Sequence, residues 1–351
     1  MSMQLVKATE AVPELASYDA IIDVRSPAEF ALDHLPGALN WPVLDDEERR
    51  IVGTLYVQVS PHEARKVGGA MVARNVARHL DAFVRDKPKQ WKPLVYCWRG
   101  GQRSGSMAWF LGQIGFRTAQ LAGGYKAFRA IVRDELERLP LSLDLRVLCG
   151  RTGSGKTRLL QALADVGAQV LDLEALACHR GSVLGGLPDK PQPSQKGFDT
   201  ALWAALHALD ATRPVFVESE SAKIGNLRVP DALLSRMRDQ GQCLSVEMPD
   251  DARVQLLLEE YGFFAQRTEE FCRLLDALVE LRGKELVRRW QDAARAGRWA
   301  ELFRELMLEH YDPLYERSMQ RNFRVEHAQR VPLADGSPAA LQAAARELVR
   351  D

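Results

Sequence analysis

An α/β protein built from two successive parallel-sheet domains, with a helical region at its end, is the fold class that this sequence predicts. Three observations point there. Short apolar runs alternate with helix-patterned stretches, first to about residue 139 and then again after it. Two of those runs lead straight into Gly-rich turns that open a helix: Pro93–Tyr96 before Cys97-Trp98-Arg99-Gly100-Gly101, and Leu145–Cys149 before Gly150-Arg151-Thr152-Gly153-Ser154-Gly155. From Asp250 to about Arg321 the sequence is charge-dense and helical, without a strand signal.

The elements follow in order. Ala20–Val24 is a short buried strand. Ser26-Pro27-Ala28-Glu29-Phe30 starts a helix, with Ser26 as N-cap, Pro27 at the first position and Glu29 in the first turn. His34–Asn40 is a turn into another strand, and polar helical sequence runs to about Lys87. Pro93–Tyr96 is a strand, Arg103–Ile114 a helix, Ala119–Gly124 the last strand of the first domain, and Tyr125–Leu139 its closing helix. Pro140–Leu143 is the joint. The pattern restarts with a strand to Cys149, a helix over Lys156–Val166, and strands at Gln169–Asp172, Pro214–Glu218 and Cys243–Glu247. Arg180–Lys196, rich in Gly, Pro and Gln, reads as a mobile loop beside the second Gly-rich turn. The expected division is residues 1–139, 140–250 and 251–351.

Lys+Arg and Asp+Glu each number 47, so the chain is not a generally basic nucleic-acid binder, although a local basic face is open to it. The first residues lack an apolar signal core, and no run is long enough to span a bilayer. The five cysteines are scattered, odd in number and without a CxxC pair. That usage suits a reducing cytoplasm and gives no structural zinc site.

Chemistry concentrates in the two turns. A strand, a tight turn and a helix start aim backbone N–H groups and the positive helix end at one point. In the first turn that point is the Cys97 sulfur, whose thiolate such a setting favours. Arg99 and Arg103 add positive charge for a bound anion, and Cys-x5-Arg-Ser matches the phosphate-clamping loop of cysteine phosphatases. In the second turn, Gly150-x4-Gly155-Lys156-Thr157 is a complete P-loop pattern in its strand–helix context. Gly150, Gly153, Ser154 and Gly155 shape the cradle, Lys156 reaches the terminal phosphates, and Thr157 is placed to ligate Mg²⁺. Asp172 and Glu218, each ending a strand, are the carboxylates placed to hold that metal or to orient substrate.

The stretch Asp23-Val24-Arg25-Ser26-Pro27-Ala28-Glu29-Phe30, with His34–Asn40, resembles the rhodanese domain, although the Cys97–Arg103 loop is longer than in sulfur-carrying rhodaneses and suits a larger tetrahedral anion. Adding Asp172–Ser182, Gln192–Phe198 and Phe216–Gly225 to the two turns, the chain closely resembles the bacterial tRNA 2-selenouridine synthases from Asp23 to about Tyr315. That resemblance implies a rhodanese-like domain, then a P-loop NTPase-like domain with a helical C-terminal part. It implies tRNA as partner, geranyl diphosphate and selenophosphate as co-substrates, and a supply of selenophosphate from its synthase. The implied reaction geranylates a wobble 2-thiouridine and then replaces the S-geranyl group with selenium. His179 and Arg180 become expected contacts to the diphosphate or uridine, and Tyr261-Gly262-Phe263-Phe264 a lining for the prenyl chain. The basic segment with Arg282, Lys284, Arg288, Arg289, Arg295 and Arg298 beside Trp290 becomes the expected tRNA contact. The competing readings are a rhodanese sulfurtransferase fused to an ATP-dependent kinase, and a non-catalytic nucleotide sensor.

Overall fold

The computed structural model describes residues 3–181, 185–186, 190–323 and 327–350. Its packing divides the chain into two compact units, residues 1–135 with 193–204, and residues 136–192 with 205–351.

The first unit holds a five-stranded, all-parallel sheet in the order β1-β5-β4-β2-β3. The strands are β1 (Gln4–Lys7), β2 (Ala20–Asp23), β3 (Ala38–Asn40), β4 (Pro93–Tyr96) and β5 (Ala119–Ala122). Strand β4 sits centrally and is buried throughout, which is why it reads as an unbroken apolar run. The expected Ser26 N-cap is present at α1 (Pro27–Leu32), where Glu29 also completes a capping box. The long polar stretch resolves into a helical hairpin, α2 (Asp46–Gln58) and α3 (Pro61–Phe83), each with a side-chain cap at its start, Asp45 and Ser60. Helices α4 (Gln102–Ile114) and α5 (Gly124–Arg138) follow β4 and β5. Ile22, Val24, Trp41, Val76, Val95, Met107 and Leu111 are among the residues that fill the core between sheet and helices.

The second unit carries another five-stranded parallel sheet, ordered β12-β11-β6-β8-β7. Its strands are β6 (Leu145–Cys149), β7 (Gln169–Leu171), β8 (Val215–Glu218), β11 (Gln242–Glu247) and β12 (Gln329–Pro332); Lys223–Ile224 and Leu227–Arg228 (β9 and β10) pair separately. Helix α6 (Lys156–Asp165) follows the P-loop and packs on α11 (Pro338–Arg350) around Leu159, Leu163, Leu341 and Ala345. The C-terminal helices close on their own core, in which Trp290, Phe264, Phe271 and Leu302 are almost fully buried. They include α8 (Asp250–Tyr261), α9 (Lys284–Arg295) and α10 (Asp312–Asn322).

The edge strands β1 and β12 escaped the sequence reading. Each is four residues long, with one buried position, too little alternation to register as a strand. The expected loop at 180–196 is also corrected in part. Residues 182–184 and 187–189 lie outside the described residues, but Gln192 is anchored by its side-chain amide to the carbonyls of Ala177 and Ile224, at 3.3 and 2.9 Å. Residues 193–204, which begin helix α7 (Gln195–His207), belong to the first unit. There Arg129 binds Asp199 at 2.7 Å and Thr200 at 3.1 Å, and Thr200 donates to the buried Asp33 at 3.0 Å.

Candidate functional site

In the first unit, β4 runs directly into Cys97, which is buried. The turn after it closes against the β5–α5 junction. Gly100 and Gly124 both have positive φ, +67° and +53°. A Cβ on Gly124 would lie 2.2 Å from the Cys97 carbonyl oxygen and 2.5 Å from the Gly100 nitrogen, so only glycine permits this approach. The Cys97 and Trp98 carbonyls accept from Tyr125 N and Lys126 N, each at 2.9 Å. Gln120 donates to the Gly100 carbonyl at 2.8 Å and to Ser104 Oγ at 2.9 Å, and Ser104 in turn donates to Cys97 Sγ at 3.2 Å. The loop is held by its carbonyls and leaves the start of α4 beside the sulfur.

The two arginines expected to clamp the anion differ. Arg99 is exposed on the loop. Arg103 is turned onto Glu29, at 2.6 and 3.3 Å. Burial alone would raise the Glu29 carboxyl, but the Arg103 ion pair holds it below its ordinary range. A bound anion must therefore compete with Glu29 for Arg103. The Asp23-Val24-Arg25 motif is structural: Arg25 is fully buried, grips Asp23 with three contacts of 2.6–3.0 Å and lies 3.9 Å from the centre of the Tyr125 ring. Lys196, expected near the P-loop, instead stands over the exposed Trp98, 5.8 Å from its ring centre.

In the second unit, β6 feeds the P-loop and α6 leaves it. Gly153 and Gly155 hold φ of +75° and +83°. A Cβ on Gly150 would meet Ser154 Oγ at 2.5 Å and the Val246 carbonyl at 2.8 Å. Lys156 folds back over the loop and donates to the Gly150 carbonyl at 2.8 Å. Tyr315 of α10 meets the Gly150 amide through its hydroxyl, and its ring lies 5.7 Å from the Lys156 ammonium. Arg253 of α8, almost wholly buried, donates twice to the Thr152 carbonyl, at 3.0 and 2.8 Å, and to both oxygens of Asp312 at 3.0 and 2.6 Å. The helical region thus braces the P-loop from behind.

A cavity of about 680 Å³ opens on this loop. One side is polar, with Lys156, Thr157, Glu174, Glu218, Glu220 and Arg180; the other is apolar, with Leu257, Tyr261, Leu314 and Phe323. Glu218, facing the same cavity as Thr157, is buried, and its Oε1 has no hydrogen-bond partner among the described residues. An unpaired buried carboxylate oxygen beside a P-loop threonine fits a Mg²⁺ site, since Mg²⁺ needs only one or two protein oxygens when phosphates and waters supply the rest. Asp172 spends one oxygen capping the helix at Leu173–Ala177, accepting from Ala175 N at 2.8 Å.

Sequence reasoning missed Glu174 and Glu220. Burial, then the charges of Glu218 and Glu220, pushes Glu174 up to about 9. Burial and Glu218 push Glu220 up to about 8. Only their spacing of two residues from Asp172 and Glu218 could have signalled them. His310 was missed as well. It lines the cavity from a π-helical turn, Leu306–Tyr311, and its Nδ1 accepts from Arg282 Nε at 3.0 Å. Burial, then the Arg282 charge, lowers His310 to about 4, so it is neutral with Nε2 protonated.

Of the remaining expected residues, Arg180 lines the cavity, 5.0 Å from the Tyr261 ring centre, and donates to the Glu260 carbonyl at 2.9 Å. His179 accepts from Gly181 N at 3.1 Å. Tyr261 reaches the cavity, whereas Phe264 is core and Phe263 packs against it. The basic segment is largely neutralised: Arg289 pairs with Glu305 and Glu309, Arg295 with Glu269, Arg298 with Glu301, and Trp290 is buried. Lys284 and Arg288 are exposed cations of this segment that form no ion pair among the described residues.

Comparison with known proteins gives consistent matches. Residues 7–131 match the rhodanese-like domain, and residues 143–287 match the tRNA 2-selenouridine synthase AAA domain. A tRNA 2-selenouridine synthase of Nitrosomonas europaea is 38% identical over 75% of this chain and 70% of its own length. Relatives of the same description from Alcanivorax borkumensis and Hydrogenovibrio crunogenus are each 34% identical over 86% of this chain, and over 90% and 89% of their own lengths.

Proposed function

Because this chain belongs to the tRNA 2-selenouridine synthase family, we propose that it converts a wobble 2-thiouridine of tRNA into 2-selenouridine by two transfers, one in each unit. The observation that carries the reading is the two-sided P-loop cavity. A phosphate cradle with Lys156 and Thr157 faces an apolar wall of Leu257, Tyr261, Leu314 and Phe323, which suits a prenyl diphosphate better than a nucleotide.

In the first transfer the thiouridine sulfur attacks C1 of geranyl diphosphate, the C–O bond breaks, and diphosphate leaves as the base gives up its N3 proton. Lys156 and the loop amides stabilise the negative charge growing on the leaving group. Mg²⁺, held by Thr157 and Glu218, would add further charge neutralisation there. The apolar wall positions the chain and keeps water from the allylic carbon. In the second transfer selenophosphate docks at the start of α4 beside Cys97, with Arg99 and Arg103 as its cations. Selenium replaces sulfur at C2 of the base, geranylthiol leaves, and cleavage of the P–Se bond by water yields phosphate. Among the described residues no helix is long and apolar enough to cross a membrane, and a cytoplasmic enzyme is the setting we propose.

The test is ligand protection. Geranyl diphosphate with Mg²⁺ should raise the thermal midpoint of the P-loop unit, and ATP should do so much less. The reverse ranking would support the kinase reading instead.

A further inference from the structure

The rhodanese-like unit contains a second apolar site that the P-loop chemistry does not use. A groove of about 690 Å³ lies between the α2–α3 hairpin and the outer face of α4. Val52, Tyr56, Val72, Trp109 and Phe110 line it with Gly68, Gly69 and Gly105, and a Cβ on Gly68 would crowd Val52 at 3.2 Å. Trp109 and Tyr56 are 54% and 55% exposed, so the groove presents two large aromatic faces at the surface. The groove's polar end is formed by Gln102 and Arg103, the first residues of the helix that the Cys97 loop opens.

We propose that this groove holds the ten-carbon prenyl chain of the S-geranyl base while selenium is exchanged at Cys97. The inference rests on the two-transfer reading above and extends it. That reading requires an alkylated base to present its C2 at the Cys97 loop. The alkyl group is then attached one atom from the reacting carbon, and a chain that size costs free energy in water unless it finds an apolar surface. The groove starts at Arg103, on the same helix turn that serves the anion, and follows α4 to Phe110, about 10 Å along the helix. That length matches one extended prenyl chain. Continuity with the Cys97 loop through Gln102 and Arg103 favours this occupant over a partner helix or a second copy.

The groove would therefore act as a specificity device. It would recognise the product of the first transfer and favour the alkylated base over the plain 2-thio base in the second. Trp109 and Tyr56 are positioning residues in this scheme, since neither touches the reacting atoms.

The experiment uses the full chain and anticodon stem-loop RNAs carrying S-geranyl- or S-methyl-2-thiouridine at the wobble position. Selenation with selenophosphate is followed by mass spectrometry. The wild-type protein should show a KM for the S-geranyl RNA at least about tenfold below that for the S-methyl RNA. Trp109→Ala with Tyr56→Ala should erase that preference, leaving kcat and the S-methyl KM unchanged. Trp109→Phe should restore most of it. Geranyl transfer from geranyl diphosphate, read on the same preparations, should be unaffected and reports that the variants are folded. A preserved chain-length preference in the double variant would overturn the groove proposal alone. Failure of the wild-type protein to selenate S-geranyl RNA at all would overturn the two-transfer reading and the groove with it. Loss of binding to both RNAs alike, or a change in oligomeric state, would assign the surface to RNA or to a second copy and likewise refute the proposal.

Discussion

Arg253 offers a measurable check on how the helical region supports the P-loop. Its guanidinium is almost wholly buried and makes five hydrogen bonds: two to the Thr152 carbonyl, two to Asp312 and one to Asp250 at 2.9 Å. Arg253→Met keeps much of the aliphatic packing but leaves the buried Asp312 carboxylate only a long Arg151 contact at 3.9 Å and frees the Thr152 carbonyl. Breaking a buried ion pair from one side costs about 3–5 kcal/mol. Removing the orphaned charge as well, in Arg253→Met with Asp312→Asn, should recover part of that loss, because the two residues are directly coupled. Native-state hydrogen exchange read on the β6 and α8 amides isolates this unit from the other. We expect their opening free energy to fall by about 3–5 kcal/mol in the single variant and by clearly less in the double variant. A single variant within about 1 kcal/mol of wild type, or a double variant with the two losses simply added, would falsify the claim that this pair braces the loop.

Four further outcomes are expected. Cys97→Ser should abolish selenation yet leave geranylation largely intact, so that S-geranyl tRNA accumulates; loss of both in a folded variant would contradict the division of labour. Lys156→Ala should slow geranylation by about a hundredfold or more, a loss of roughly 3 kcal/mol in charge stabilisation, with pre-geranylated tRNA selenated nearly as before. His310, lowered to about 4, binds its proton less well folded than unfolded, so stability should decline as pH falls from about 6.5 toward 4, by at most about 3 kcal/mol. His310→Gln should flatten that decline in acid unfolding curves, and an unchanged pH slope would remove His310 as its source. Arg288→Ala with Arg289→Ala should shrink the slope of log tRNA affinity against log salt by roughly one to two units if both touch phosphates; a slope change below one fits Arg289 staying with Glu305 and Glu309.

Much of the fold was legible because its central strands are apolar on both faces. Strands β4, β6 and β8 are buried nearly end to end and stand out as Val- and Leu-rich runs before a glycine turn or an acid. The Ser26 N-cap is a local signal, readable wherever it occurs. The edges β1 and β12 were not legible, since strand pairing there is set by a neighbour far away in the chain: Gln4 pairs with Ala119 and Gln329 with Leu244. The placement of residues 193–204 was illegible for a related reason. The sequence shows an amphipathic helix but not which core accepts it; that choice rests on Asp33 and Arg129, more than 60 residues upstream.

The candidate sites show the same limit at the scale of single side chains. A motif fixes backbone shape, so Gly100, Gly150 and Gly155 could be assigned from their spacing, and each stands in a turn that a Cβ would crowd or strain. A charge written in a motif says nothing of its partner. Arg103 was expected at the anion and is found on Glu29; Arg289, Arg295 and Arg298 were expected on tRNA and are found on carboxylates. Conversely, Glu174 and Glu220 carry no motif. They matter because folding places them with Glu218 in one buried wall, where burial and then like charges raise both carboxyl groups. A wall of that kind is costly without cations beside it, and Lys156 lowers each of the three carboxyl groups against burial and their mutual repulsion. Under the proposed function such a wall would favour a cation entering with the diphosphate, a property that no single residue of the sequence announces.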